Sequence, residues 1–154
     1  MIDLTTPIIP YNGTGIFKLN ESYDKIKNYL KKQNIPYDEE ISKPNDIDPQ
    51  WNIIGIYKDG GEYEAIGLFF AKDRLFKITL CEDFEGALPN GIHIGMTIEE
   101  AKKIDKKLTY NDWEEDYEST EGYWLNYHRK THQITIISIF IPALERDDFF
   151  EYNW

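Results

Sequence analysis

A chain of 154 residues falls in the size range of one domain and can bury roughly 70 per cent of its unfolded surface in a core. Lys plus Arg number 17 against 28 Asp plus Glu, a formal charge of −11, which is the wrong sign for a protein that lies along nucleic-acid phosphates. With 41% hydrophobic and 15% aromatic residues the chain escapes the disordered class, and it has no apolar run near the roughly 18 residues that a membrane span needs.

One α+β domain over residues 1–154 is expected. Residues 1–10 offer neither a basic start nor a long apolar stretch, and the single Cys81 has no intramolecular disulfide partner. A cytoplasmic location follows as an expectation.

After a turn at Asn12-Gly13-Thr14-Gly15, Tyr23, Ile26 and Leu30 recur at helical spacing opposite Lys25, Lys27, Lys31 and Lys32. The pattern predicts a helix over 22–33, capped by Ser22 or Asn20 and stopped by Asn34 and Pro36. Residues 37–50 are acidic and interrupted by Pro44 and Pro49, so they read mainly as a loop with room for one short strand. Three strands are expected over 51–57, 63–70 and 75–81, joined at Lys58-Asp59-Gly60-Gly61 and Lys72-Asp73-Arg74. In the third, Phe76, Ile78 and Leu80 alternate with Lys77 and Thr79, as in a sheet with one buried face.

Thr97-Ile98-Glu99-Glu100 is a capping box that opens a second helix over 97–108 with Ile98, Ala101, Ile104 and Leu108 as its apolar stripe. An acidic stretch, 112–121, leads into strands over 122–128 and 133–141 about a turn at Arg129-Lys130-Thr131; residues 143–154 read as a short helix or a tail packed on the sheet. The expected architecture is therefore two helices packed on an antiparallel sheet of about five or more strands. Residues 19–26 and 94–101 also match in pattern at an offset of 75, compatible with two tandem helix-hairpin repeats over 15–81 and 91–141.

No motif selects a catalytic centre, a cofactor or a metal. His128 and His132 flank a basic turn and no glutamate follows His128, unlike a helical zinc motif. Cys81 is followed by Glu82 and Asp83, whose charge disfavours a thiolate. Gly13-Thr14-Gly15 lacks the third glycine of a phosphate loop, and Asp46-Ile47-Asp48 runs into Pro49 where a calcium loop would continue.

What stands out is acid interleaved with aromatics. Asp112, Trp113, Glu114, Glu115, Asp116, Tyr117 and Glu118 form one block, and Asp147 and Asp148 stand before Phe149 and Phe150. Aromatic anchors in a field of carboxylates suit a basic protein partner.

In size, acidity and the segments 15–30 and 91–108, the chain resembles the small immunity proteins of bacterial contact-dependent growth inhibition and related toxin systems. Gly91-Ile92-His93-Ile94-Gly95-Met96-Thr97-Ile98-Glu99-Glu100 also resembles the opening of helix-plus-hairpin modules similar to the beta-lactamase inhibitor protein. The resemblance implies a non-enzymatic protein that binds a cognate toxin domain, foremost a nuclease, and occludes its active site or substrate groove without touching nucleic acid or membrane. Two other classes stay open: a small hydrolase or isomerase with a carboxylate pair in a cleft, and a structural adaptor.

Overall fold

The computed structural model describes residues 1–42, 51–151 and 154. Residues 43–50, with the Asp46-Ile47-Asp48 motif, lie outside the described residues. Strand dominates: β4 (Tyr37–Ile41), β5 (Trp51–Tyr57), β6 (Glu64–Ala71), β7 (Arg74–Leu80), β8 (Thr109–Asn111), β9 (Asp116–Ser119), β10 (Tyr123–Tyr127) and β11 (Ile134–Phe140) form one antiparallel sheet. Its spatial order is β4-β5-β6-β7-β11-β10-β9-β8. A separate small sheet joins β1 (Ile8–Ile9), β2 (Gly13–Thr14) and β3 (Phe17–Lys18). Only two α-helices occur among the described residues, α1 (Tyr23–Lys32) and α2 (Ile98–Ile104).

This corrects the α+β expectation of two helices on a sheet of about five strands. The molecule is mainly sheet, and its helices are short. Five described strands escaped the periodicity reading for physical reasons, and β4 takes the place left for one short strand within 37–50. β1, β2 and β3 have two residues each, too few for any period. β4, β8 and β9 carry acidic and polar residues of poor strand propensity, and they are held by pairing with a neighbour. The second helix ends at Ile104, not Leu108, because Asp105 leaves helical geometry and its carboxylate turns back to the Lys107 amide at 2.9 Å.

Each half of the large sheet is a helix followed by four strands in chain order, α1 with β4 to β7 and α2 with β8 to β11. The two meanders join through their last strands, where Leu80 opposes Ile137 and Ile78 opposes Ile139. Directly opposed residues share a face, and this register separates two environments. One face carries Ile54, Ile56, Ile66, Leu68, Ile78, Leu80, Leu125, Ile137 and Ile139, all buried in one core with Ile26 and Leu30 of α1 and Ile98 and Ala101 of α2.

The opposite face is largely half-buried and mixed in chemistry. At one end Trp51 and Phe76, with Phe69 beside them, meet the C-terminal segment; Phe149 lies 5.2 Å from Phe76, and Trp154 stacks on Phe149 at 5.0 Å. In the middle, Gly55 and Gly67 oppose each other across β5 and β6. The Glu64 carboxylate lies over both, where side chains at those positions would stand. Towards the other edge this face presents Lys77, Trp124, Glu118 and Asp116.

Candidate functional site

The acidic block of residues 112–118 is a hairpin at the edge of the sheet rather than a loop. Asn111 builds its turn: the side-chain oxygen accepts the amides of Trp113 at 2.9 Å and Glu114 at 3.1 Å, and its carbonyl accepts the Glu115 amide at 2.8 Å. Glu115 closes the turn with a positive φ of 56°. Residues 112–115 are exposed, and Trp113, 91% exposed, is the most open large hydrophobic residue after Met1 among the described residues.

Beyond the turn the pleat divides the remaining residues between the two faces. Tyr117 points with Tyr110 and Tyr127, at 5.1 and 5.6 Å, beneath the Lys102 ammonium. Asp116 and Glu118 point the other way with Asn111, Thr109 and Trp124. Glu114 and Glu118 there line a groove of about 590 Å³ whose far wall is the turn after β11, with Leu144, Glu145, Arg146 and Asp147. Glu114, Glu118 and Asp147 are thus brought together.

The other expected site residues are not. Glu115 is turned aside into an ion pair with Arg129 at 2.6 Å. Asp148 holds Arg146 through two contacts at 2.8 and 3.1 Å. Asp112 stays exposed on the turn, away from the groove lining. Among the terminal aromatics, Phe149 belongs to the core.

Asp116 has the least ordinary environment. It is 5% exposed, and its Oδ1 is buried without a hydrogen-bond partner among the described residues. Burial, reinforced by the charges of Glu118 and Glu114 and opposed by Lys77, pushes its carboxyl up to about 6. Lys77 responds in the opposite sense: burial lowers its ammonium, Glu114 and Asp116 hold it up, and Nζ sits 4.2 Å over the Phe69 ring. Sequence reasoning singled out neither Lys77 nor Trp124. The only signal was the polar position of Lys77 in the alternation of β7, which looks the same for any residue on a wet face.

The remaining polar features are structural. Asp105 accepts the Ser119 hydroxyl at 2.5 Å and the Tyr123 hydroxyl, pinning the end of α2 to β9 and β10; burial, with the Asp105 hydrogen bond behind it, pushes the Tyr123 phenol up to about 12. His128 accepts the Lys130 amide at 3.2 Å and His132 meets Glu99 at 2.7 Å, so the two imidazoles serve different neighbours. Burial pushes the Cys81 thiol up to about 11, with Glu64 adding to the effect. Among the described residues no helix is long and apolar enough to cross a membrane.

The chain matches no protein-family model and no curated protein. It is similar in structure to the uncharacterized protein yfeY from Escherichia coli, with a TM-score of 0.59 over 86% of this chain and 98% of that one. At 10% identity that likeness extends to the fold alone.

Proposed function

We propose that this protein is an immunity protein, acting in the cytoplasm of the cell that makes it, which neutralises a cognate basic toxin domain by stoichiometric binding. A nuclease is the toxin class that best suits an acidic inhibitor, because its substrate groove is built to attract phosphates. The observation that carries the reading is Trp113: an indole held 91% exposed at the tip of a turn whose other members are Asp112, Glu114 and Glu115. A rigid aromatic presented to solvent within a carboxylate field is costly for solubility and useful at the centre of an interface. The groove behind it adds Glu118 and Asp147, which extends the negative field over one edge of the sheet.

The testing experiment is co-expression with the toxin domain encoded by the neighbouring gene. The wild-type chain should restore growth and co-purify with the toxin in equimolar amounts. Growth arrest in its presence, with no complex on size exclusion, would reject the reading.

A further inference from the structure

β4 is an end strand of the large sheet: β5 pairs with one side of it, and among the described residues nothing pairs with the other. The direction of its backbone groups follows from one bond. The Ser42 amide donates to the Trp51 carbonyl at 2.9 Å, in the same register as the pairs of β4 with β5. Antiparallel neighbours bond at every second residue, so Asp38 and Glu40 also turn their N–H and C=O groups toward β5. Tyr37, Glu39 and Ile41 turn theirs outward, where they meet no partner among the described residues.

The pleat sorts the side chains of the same strand. Tyr37 and Glu39 oppose Ile56 and Ile54 and stand with Ile41 on the helix face, whereas Asp38 and Glu40 oppose Gly55 and Ile53 on the other. Glu39 is already held by Lys27 of α1 at 3.1 Å, and Ile41 is 56% exposed. Asp38 and Glu40 are exposed, with no ion pair among the described residues. The half-buried Glu64 carboxylate lies over Gly55, the residue opposite Asp38, and burial together with the Asp38 charge holds it above its ordinary value.

We infer that the open side of β4 accepts an extended segment of another protein as a further antiparallel strand, with basic residues opposite Asp38 and Glu40 and apolar residues opposite Tyr37 and Ile41. Backbone bonds at Tyr37, Glu39 and Ile41 would supply the attachment, and alternate side chains the selection. The basic residues fall at the positions between those bonds, where facing side chains of an antiparallel pair approach most closely. β4 and the acidic hairpin lie at opposite ends of the strand order, so this contact is additional to the one proposed above and does not depend on it.

Charge decides the occupant. Carboxylates on an exposed edge guard against self-pairing, and a second copy of β4 would set Asp38, Glu39 and Glu40 against the same three residues. A basic strand meets the same charges as attraction. The other end strand, β8, has three residues and offers a shorter ladder.

The test uses the full chain, isotopically labelled, and the capped peptide Gly-Ile-Lys-Thr-Lys-Ile-Gly as the probe, followed by NMR and amide hydrogen exchange. In the free protein the Asp38, Glu40 and Ser42 amides should exchange slowly and those of Tyr37, Glu39 and Ile41 fast; the peptide should shift and protect the latter three. N-methylation of the central threonine, which removes the donor to the Glu39 carbonyl, should weaken binding several-fold, whereas N-methylation of either lysine, whose amide faces away from β4, should be tolerated. The same peptide with glutamate in place of lysine should not bind. These comparisons change only the peptide, so none depends on a variant folding. Equal binding of the two kinds of methylated peptide would overturn strand addition, and equal binding of the lysine and glutamate peptides would overturn the basic partner. Shifts confined to residues outside β4 would overturn the edge assignment. Protection of Tyr37, Glu39 and Ile41 that grows with protein concentration in the absence of peptide would make a second copy the occupant and overturn the charge argument.

Discussion

Glu115 at the tip of the β8–β9 hairpin and Arg129 in the β10–β11 turn meet at 2.6 Å, so one carboxylate of the acidic block is already spent within the molecule. The pair ties two neighbouring turns together, yet both side chains are more than half exposed, and such pairs contribute little to stability. Glu115→Ala should therefore leave the melting temperature within a degree or two, by the usual scale of such pairs. Its effect on toxin association should be smaller than that of Glu114→Ala. Stopped-flow binding of the purified toxin domain compares the two; a larger effect at Glu115 would mean that the ion pair opens on binding.

Trp113 and Glu114 should act on different rate constants. Trp113→Ala removes an anchor that is 91% exposed in the free protein, so dissociation should accelerate while thermal unfolding stays unchanged. Reversing Glu114 and Glu118 to Lys should slow association and flatten its dependence on salt. Surface plasmon resonance at two ionic strengths separates the effects. Wild-type kinetics in a folded Trp113→Ala variant would move the interface elsewhere.

Asp116 gives a pH-dependent prediction. Its carboxyl, held at about 6 in the fold against an ordinary value near 4, favours the folded state below the unfolded value, where both states are protonated. That advantage disappears as pH rises from about 4 through 6. Asp116→Asn should then be more stable than wild type at pH 8, by about 1–2 kcal/mol, and nearly equal to it at pH 4. Urea denaturation at the two pH values measures the difference, and a variant destabilised at pH 8 would show that the carboxylate has a favourable partner.

The opposed glycines at the centre of the sheet differ in what an added methyl would meet. At Gly55 it would fall 2.5 Å from Glu64 Oε2, the end of a flexible chain that can swing away. At Gly67 it would meet both the Glu64 carboxylate and the Thr79 hydroxyl, and the threonine is fixed by its branched Cβ. Gly67→Ala should cost about 1–3 kcal/mol and Gly55→Ala less than about 1. Combining Glu64→Ala with Gly55→Ala should recover the smaller loss. Chemical denaturation of the three variants decides the order.

The cap of α2 is the simplest case. Thr97 Oγ1 accepts the Glu100 amide at 3.2 Å, and the Glu100 carboxylate returns to the same hydroxyl at 3.0 Å rather than to the backbone. Thr97→Ala loses both contacts and should cost about 1 kcal/mol. An unchanged denaturation midpoint would show that the bridge from Thr97 to Gln133 holds the helix start alone.

How much of this could be read from residues depends on which force places each segment. Ser22 and Thr97 cap helices at the expected places because capping is local chemistry. β5, β6, β7, β10 and β11 lie within about two residues of their expected bounds, since apolar runs bounded by turn residues report burial directly. β9 was hidden because Asp116 and Glu118 read as solvated acids, whereas pairing to β10 carries them onto the sheet. The same pleat separated Tyr117 from its acidic neighbours, a division that the sequence shows only once strand and register are known. Arg129 and Glu145 reach the acidic hairpin from other turns, and no spacing rule connects them.

The union of the two meanders through β7 and β11 also shapes how the chain must fold. Within each half the large-sheet strands pair with sequence neighbours, so each meander can assemble from short loop closures. The seam of Leu80 with Ile137 and Ile78 with Ile139 instead joins residues that are distant along the chain, and its closure entropy falls due before its contacts form. Folding should therefore be paced by this one long-range zipper. Until it closes, both β7 and β11 present open apolar edges, which makes the half-assembled state the one most exposed to aggregation.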